Sequence, residues 1–267
     1  MTSPGAADLT ADAIKVHRTG SGPPLVLLHC LGVDHGLWRI AAAGLEDRCT
    51  LLSYDFPGHG ETPVSRAYAI DDLSRQLVLL LDREGIASAH LAGISLGGLV
   101  AQHFAATNPN RVERLVLIDT TARYDETARG MWAERARAAR TAGVASLLPS
   151  ILEIWFTAEF IAENPPAVRY VRERFAAASG EGYALACEAL AAADVRALAS
   201  SISAPTLVLC GSDELPAFRD AAQWLTRTVP QAELAWLSPA RHASILQQPH
   251  AFQRHTRTFL ARGRTAP

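Results

Sequence analysis

Disulfide scaffolding, a membrane span, a surplus of one charge and the usual phosphate and metal signatures are all missing from this sequence. Its four cysteines, Cys30, Cys49, Cys187 and Cys210, form no C-x-x-C pair. That excludes a thiol redox motif and fits a reducing, cytoplasmic compartment. Met1 to Asp12 lacks the basic start and apolar run of a signal peptide. No apolar stretch reaches the roughly 18 residues of a membrane span. The run from Leu73 to Leu81, for example, is broken by Ser74, Arg75 and Gln76. With 25 Lys+Arg against 27 Asp+Glu the formal charge is −2, which supplies neither a nucleic-acid footprint nor a polybasic membrane patch. Lysine itself is nearly absent, Lys15 being the single example. There is no H-E-x-x-H, no G-x-x-x-x-G-K-[ST] and no G-x-G-x-x-G after a strand. Metal, nucleotide-phosphate and dinucleotide chemistry therefore have no support and no cofactor is implied. The expected partner is a small molecule, with no nucleic acid and no membrane.

What is present is apolar periodicity. Hydrophobic residues make up 49% of 267, enough to close a full core. Short runs rich in Val, Leu and Ile at Pro24–His29, Thr50–Tyr54, Ala89–Ile94, Leu115–Asp119 and Thr206–Cys210 predict strands. Between them Leu37–Leu45, Ile70–Arg83, Leu96–Asn108 and Phe218–Val229 read as amphipathic helices. Runs apolar on both faces imply strands covered on both sides, hence an α/β fold with a mostly parallel sheet flanked by helices. From Ala122 to about Ser200 only helical patterns occur, at Met131–Thr141, Ala145–Phe156, Ala167–Ala178 and Tyr183–Ala193. This predicts a helical cap over residues 122–200, inserted into a core of residues 1–121 and 201–267. A strand at Glu233–Leu237 and a helix at Pro249–Arg262 complete that core.

The chemistry-bearing signal is Gly93-Ile94-Ser95-Leu96-Gly97-Gly98, which follows a predicted strand and opens a predicted helix. That is the setting of a nucleophile elbow, where small residues two before and two after a serine let the backbone pass closely. A serine hydroxyl needs a base. His242 follows the last predicted strand, whereas His17, His90, His103, His250 and His255 fall near the start, within a strand or on helices. The base needs a carboxylate, and the chain order serine, acid, histidine allows Asp213 or Glu214 after Thr206–Cys210. Asp119, at an adjacent strand end, is a third candidate. The Leu31 and Leu96 amides are the expected oxyanion donors, with His29 bracing the loop that carries Leu31. Asp55-Phe56-Pro57-Gly58-His59-Gly60 reads as a structural turn.

These motifs resemble the α/β-hydrolase superfamily, and within it the 3-oxoadipate enol-lactonases, over about Pro24 to Phe252. The general resemblance rests on the L-L-H-C-L-G loop with Trp38, Y-D-F-P-G-H-G, G-I-S-L-G-G-L-V-A-Q and the terminal R-H-A. The narrower one rests on the cap: Ile154-Trp155-Phe156-Thr157-Ala158-Glu159-Phe160, Gly182-Tyr183-Ala184, Cys187-Glu188-Ala189-Leu190 and Ala193-Asp194-Val195-Arg196. The resemblance implies cofactor-free opening of an enol-lactone that carries a carboxylate, a step in bacterial aromatic catabolism through the β-ketoadipate route. It also implies a selective cap, with Trp132, Trp155 and Phe156 as apolar walls and one of Arg123, Arg135 or Arg196 on the substrate carboxylate. His29-Cys30 stands where the family pattern usually begins Asn-Ser, and Glu214 where it usually has aspartate. On those two positions a general carboxylesterase or a C–C bond hydrolase of the same fold is the second reading. A receptor that kept the pocket and lost turnover is the third.

Overall fold

The computed structural model describes residues 14–64 and 66–262; the Met1 to Asp12 reading lies outside them. Among the described residues, seven strands form one sheet in the order β1-β3-β2-β4-β5-β6-β7. In chain order they are β1 His17–Gly20, β2 Pro24–Leu28, β3 Thr50–Ser53, β4 Ala89–Ile94, β5 Val112–Ile118, β6 Thr206–Gly211 and β7 Ala232–Leu237. All pairings are parallel except β1 with β3. Every residue of β6 is buried and β4 is buried save His90, so both faces are covered, as parallel pairing requires.

The α-helices are α1 Gly36–Ala41, α2 Ile70–Arg83, α3 Leu96–Thr107, α4 Glu126–Ala142, α5 Leu148–Trp155, α6 Ala158–Glu163, α7 Pro166–Ala177, α8 Gly180–Ala192, α9 Pro216–Thr228, α10 Ser244–Gln247 and α11 Pro249–Leu260. Helix α2 starts with Asp71 and Asp72 against the positive end of its dipole. The Asp72 carboxylate also accepts the Ala69 N–H at 2.9 Å, so the first turn is pinned at the predicted residue. Helices α4 to α8 all lie between the adjacent strands β5 and β6, and the tightest packing among them is α4 on α8.

This helical insertion sits on the sheet's loops through several defined contacts. Gly58, with φ +80°, lies against the backbone of Gly182 so closely that a Cβ on either would overlap the other residue's main chain. The Asp34 carboxylate accepts from the Tyr170 hydroxyl at 2.7 Å and pairs with Arg174 at 3.0 Å, tying α7 to the loop after β2. Burial would raise the Asp34 carboxyl, but those donors hold it below its ordinary value.

The structure adds elements that periodicity did not predict. Strand β1 is the mostly exposed antiparallel edge His-Arg-Thr-Gly, with no apolar alternation to announce it. Strand β5 begins at Val112, three residues before the predicted start, because Glu113 and Arg114 interrupt the apolar run. The predicted Ala145–Phe156 helix is a 3₁₀ turn at Val144–Leu147 followed by α5. The short helices α6 and α10 had no prediction.

Candidate active site

Ser95 sits where β4 turns into α3, with φ 53° and ψ −110°. A non-glycine residue there is strained, and its surroundings over-determine it. The Ser95 N–H donates to the Ile118 carbonyl at 2.9 Å, and the Thr120 hydroxyl donates to the Ser95 carbonyl at 2.8 Å. A Cβ on Gly93 would overlap the Gly97 backbone, and one on Gly97 would overlap the Leu28 and His29 carbonyls. The small residues flanking Ser95 are thus a steric requirement of the turn.

The structure brings His242 to this serine. His242 Nε2 lies 3.1 Å from Ser95 Oγ, and His242 Nδ1 lies 2.6 Å from Glu214 Oε2. An ionised carboxylate can only accept, so Nδ1 carries the proton and Nε2 is left to accept from the serine hydroxyl. The other carboxylate oxygen of Glu214 accepts the Leu215 N–H at 2.7 Å, which fixes its orientation. Burial by itself would lower the imidazole's affinity for a proton, but the Glu214 carboxylate outweighs it and holds His242 above the ordinary value of 6.5.

Asp213 is not part of this cluster. Its N–H and that of Ser212 are tied to the carbonyls of Ala240 and Leu237, both at 2.9 Å. That leaves the Asp213 side chain exposed, near Ser212 Oγ at 3.2 Å, and the next residue, Glu214, turns inward.

Asp119 does not contact His242 by hydrogen bond either. It accepts the N–H of Gly211 at 2.9 Å and both the N–H and hydroxyl of Ser244. It therefore links the strand that carries the Glu214 loop to the segment just after His242. Burial, with the nearby Glu214 charge second, pushes the Asp119 carboxyl up to about 7.

Leu31 lies beside Ser95 in the lining of one cavity of about 350 Å³. Leu96 is the first residue of α3, where a helix N–H has no helical acceptor. His29 braces the Leu31 loop as expected: Nε2 accepts the Phe56 N–H at 2.9 Å and Nδ1 donates to the Cys30 carbonyl at 2.8 Å. The Asp55 turn holds the same loop, its carboxylate accepting the N–H groups of His35 at 2.7 Å and Glu61 at 3.0 Å.

The helical insertion closes the cavity with Trp132 and Trp155, while Phe156 is wholly buried behind Trp155 and is no part of the wall. Of the three arginines, Arg123 and Arg135 line the cavity and Arg196 does not; it pairs instead with Asp194 at 2.6 Å. Arg135 lies over the Trp132 ring, 4.9 Å from its centroid. The base loop is itself fastened to the insertion, since the Ala243 N–H donates to the Trp155 carbonyl at 3.1 Å. Tyr124 and Tyr183 also line the cavity, and neither was selected as a site residue from sequence. The sequence carried a signal only for Tyr183, in the Gly182-Tyr183-Ala184 motif.

Away from this cavity, His17, His35 and Asp55 place possible ligand atoms within 4.8 Å of one another. The two imidazoles stack, with centroids 3.4 Å apart and planes 6° from parallel. Their lone pairs lie in separate parallel planes and do not converge on one ion.

Residues 23–249 match the family profile described as the alpha/beta hydrolase fold. The chain belongs to this family. Among the relatives of this α/β-hydrolase, 3-oxoadipate enol-lactonase 2 of Acinetobacter baylyi is 34% identical over 95% of this chain and 96% of its own. A pimeloyl-[acyl-carrier protein] methyl ester esterase of Chromobacterium violaceum is 31% identical over 90% of this chain and 94% of its own. The crystal structure of the enol-lactonase from Burkholderia xenovorans superposes with a TM-score of 0.89 at 33% identity, covering 93% of this chain and 96% of that one. Among the described residues of this α/β-hydrolase, no helix is long and apolar enough to cross a membrane.

Proposed function

We propose that this α/β-hydrolase is a cytoplasmic serine hydrolase that opens 3-oxoadipate enol-lactone through an acyl-enzyme, with Ser95 as nucleophile, His242 as base and Glu214 as the acid. The observation that carries the reading is the unbroken hydrogen-bond chain from Ser95 Oγ through His242 to Glu214 beneath one cavity. In this mechanism Ser95 attacks the lactone carbonyl as its proton passes to His242 Nε2. The Leu31 and Leu96 amides hold the oxyanion, each worth about 2.7–4 kcal/mol in the transition state. As the ring carbon–oxygen bond breaks, the oxygen takes the proton from His242 and becomes an enol on the acyl chain still bound to Ser95, which relaxes to a ketone; the same imidazole then activates water to free Ser95 and release the acid. Residues 122–200 act as the selective cap, with Trp132 and Trp155 against the apolar part of the substrate. Arg135 is assigned to the substrate carboxylate, because it lines the cavity half-buried, whereas Arg123 is exposed and Arg196 is spent on Asp194. The four free, buried cysteines suit a reducing compartment.

A general carboxylesterase is the second reading, favoured by the methyl ester esterase relative at nearly the same identity as the lactonase. Turnover of 3-oxoadipate enol-lactone measured beside a panel of neutral aryl and alkyl esters separates the two. A kcat/KM for the lactone at least about 100-fold above the best simple ester supports the first, since one charge-assisted contact supplies that much discrimination. A reversed preference supports the second. Failure of Ser95 to label with a fluorophosphonate would remove both.

A further inference from the structure

Two buried hydroxyls in the cavity wall are unused by the mechanism above. Neither the Tyr124 nor the Tyr183 hydroxyl makes a hydrogen bond of ordinary length among the described residues, although they are only 7% and 1% exposed; Tyr124 only approaches the Ser95 side chain and Tyr183 the Arg135 guanidinium. Both line the cavity with Ser95. A buried hydroxyl left unanswered is costly, and in a binding cavity its missing partner is an atom of the ligand.

The two differ in what they pack against. Tyr183 packs on Phe175, with centroids 6.0 Å apart, and its ring edge borders Gly32 in the loop that carries Leu31. Tyr124 packs edge-on against Trp132 at 5.3 Å and Phe218 at 6.3 Å, and Phe218 lies 4.7 Å from the His242 ring. Tyr124 is therefore on the imidazole side of the site. Its hydroxyl is close enough to Ser95 to feel that side chain, and burial keeps it protonated well above the ordinary phenol range. When the tetrahedral intermediate collapses, the departing oxygen must face the same side, because His242 Nε2 has to deliver a proton to it.

We propose that Tyr124 is a catalytic residue whose hydroxyl donates a hydrogen bond to the leaving-group oxygen of the ester or lactone. This rests on the serine-hydrolase reading. In the acylation step the Ser95 Oγ–carbonyl carbon bond forms and the carbon–oxygen bond to the leaving group breaks. The proton taken from Ser95 travels through His242 to the departing oxygen. Tyr124 keeps its own proton and shares it, spreading the charge that develops before transfer is complete.

Tyr124→Phe removes only the hydroxyl oxygen, so the rings around it keep their packing. The test is the slope of log kcat/KM against leaving-group pKa for butyrate esters of 4-nitrophenol, phenol, trifluoroethanol and ethanol, in wild type, Tyr124→Phe and Tyr183→Phe. Tyr124→Phe is expected to steepen the slope, with a loss on the order of 10–30-fold for the ethyl ester and less than about threefold for the 4-nitrophenyl ester. Tyr183→Phe, whose ring packs on Phe175 and Gly32 and not on the residue that meets the His242 ring, leaves the slope as in wild type. A loss equal for all four esters, no loss, or a steeper slope from Tyr183→Phe overturns the assignment to Tyr124. Wild-type turnover abolished by Ser95→Ala shows that the serine-hydrolase reading stands whichever slope is found; no wild-type turnover of any ester sinks that reading and this assignment with it.

Discussion

Polar atoms are treated differently on the two sides of the cavity. At the sheet's loops Ser95, Thr120, Glu214, His242, Asp119 and Ser244 answer one another in hydrogen bonds that need no ligand. On the side of the insertion between β5 and β6, the Tyr124 and Tyr183 hydroxyls make no hydrogen bond of ordinary length among the described residues, and Arg135 rests on the face of Trp132. Groups that make and break bonds gain from being placed beforehand, because reorganisation during the reaction then costs nothing. Groups that must meet the substrate itself, whether to hold its carboxylate or to share a proton with its departing oxygen, do the reverse and keep their hydrogen-bonding capacity open.

Substitutions on the two sides should accordingly fail in different ways. Ser95→Ala is expected to lower kcat by about 10⁴-fold or more while thermal melting shifts little, read by steady-state turnover and fluorophosphonate labelling. Glu214→Gln should lower kcat by about 10³–10⁴-fold with KM nearly unchanged, since the wrong imidazole tautomer is no longer disfavoured. Across the cavity, Arg135→Met should raise KM for a carboxylate-bearing lactone by about 10–100-fold and leave a neutral aryl ester within about twofold. A fall in kcat there, with KM unchanged, would break the contrast between the two sides. The pH profile sharpens it further. His242 must be neutral to accept the serine proton, and its proton affinity is raised above the ordinary 6.5. The acid limb of kcat/KM should therefore have its midpoint above pH 6.5. Glu214→Gln should move that limb to lower pH, because the charge that raises the imidazole is gone. The smallest effect belongs to Asp213→Asn, expected within about twofold of wild-type turnover because its side chain faces solvent.

Much of the sheet was readable because long periodic segments with capped ends resist misreading. The residue ranges predicted for β4 and α2 are those of the structure, and the fold class followed from strands apolar on both faces. The missing pieces, β1, α6 and α10, are six residues or shorter and take their conformation from neighbours, leaving no period to detect. At the site, a glycine-flanked serine between strand and helix carries its geometry in its own sequence. The acid does not. Asp213 and Glu214 are adjacent, and what turns one outward is a pair of backbone hydrogen bonds to Leu237 and Ala240, more than twenty residues away. Tyr124 was equally hidden, because being unpartnered is a property of surroundings and not of spacing.

The three groups of the hydrogen-bond chain sit behind β4, β6 and β7, with β5 lying between β4 and β6. None of them meets another until those strands have paired in order. A nascent or half-unravelled chain thus carries an ordinary alcohol at Ser95, chemically inert toward the esters around it. On the proposed mechanism, reactivity would switch on only with completed folding.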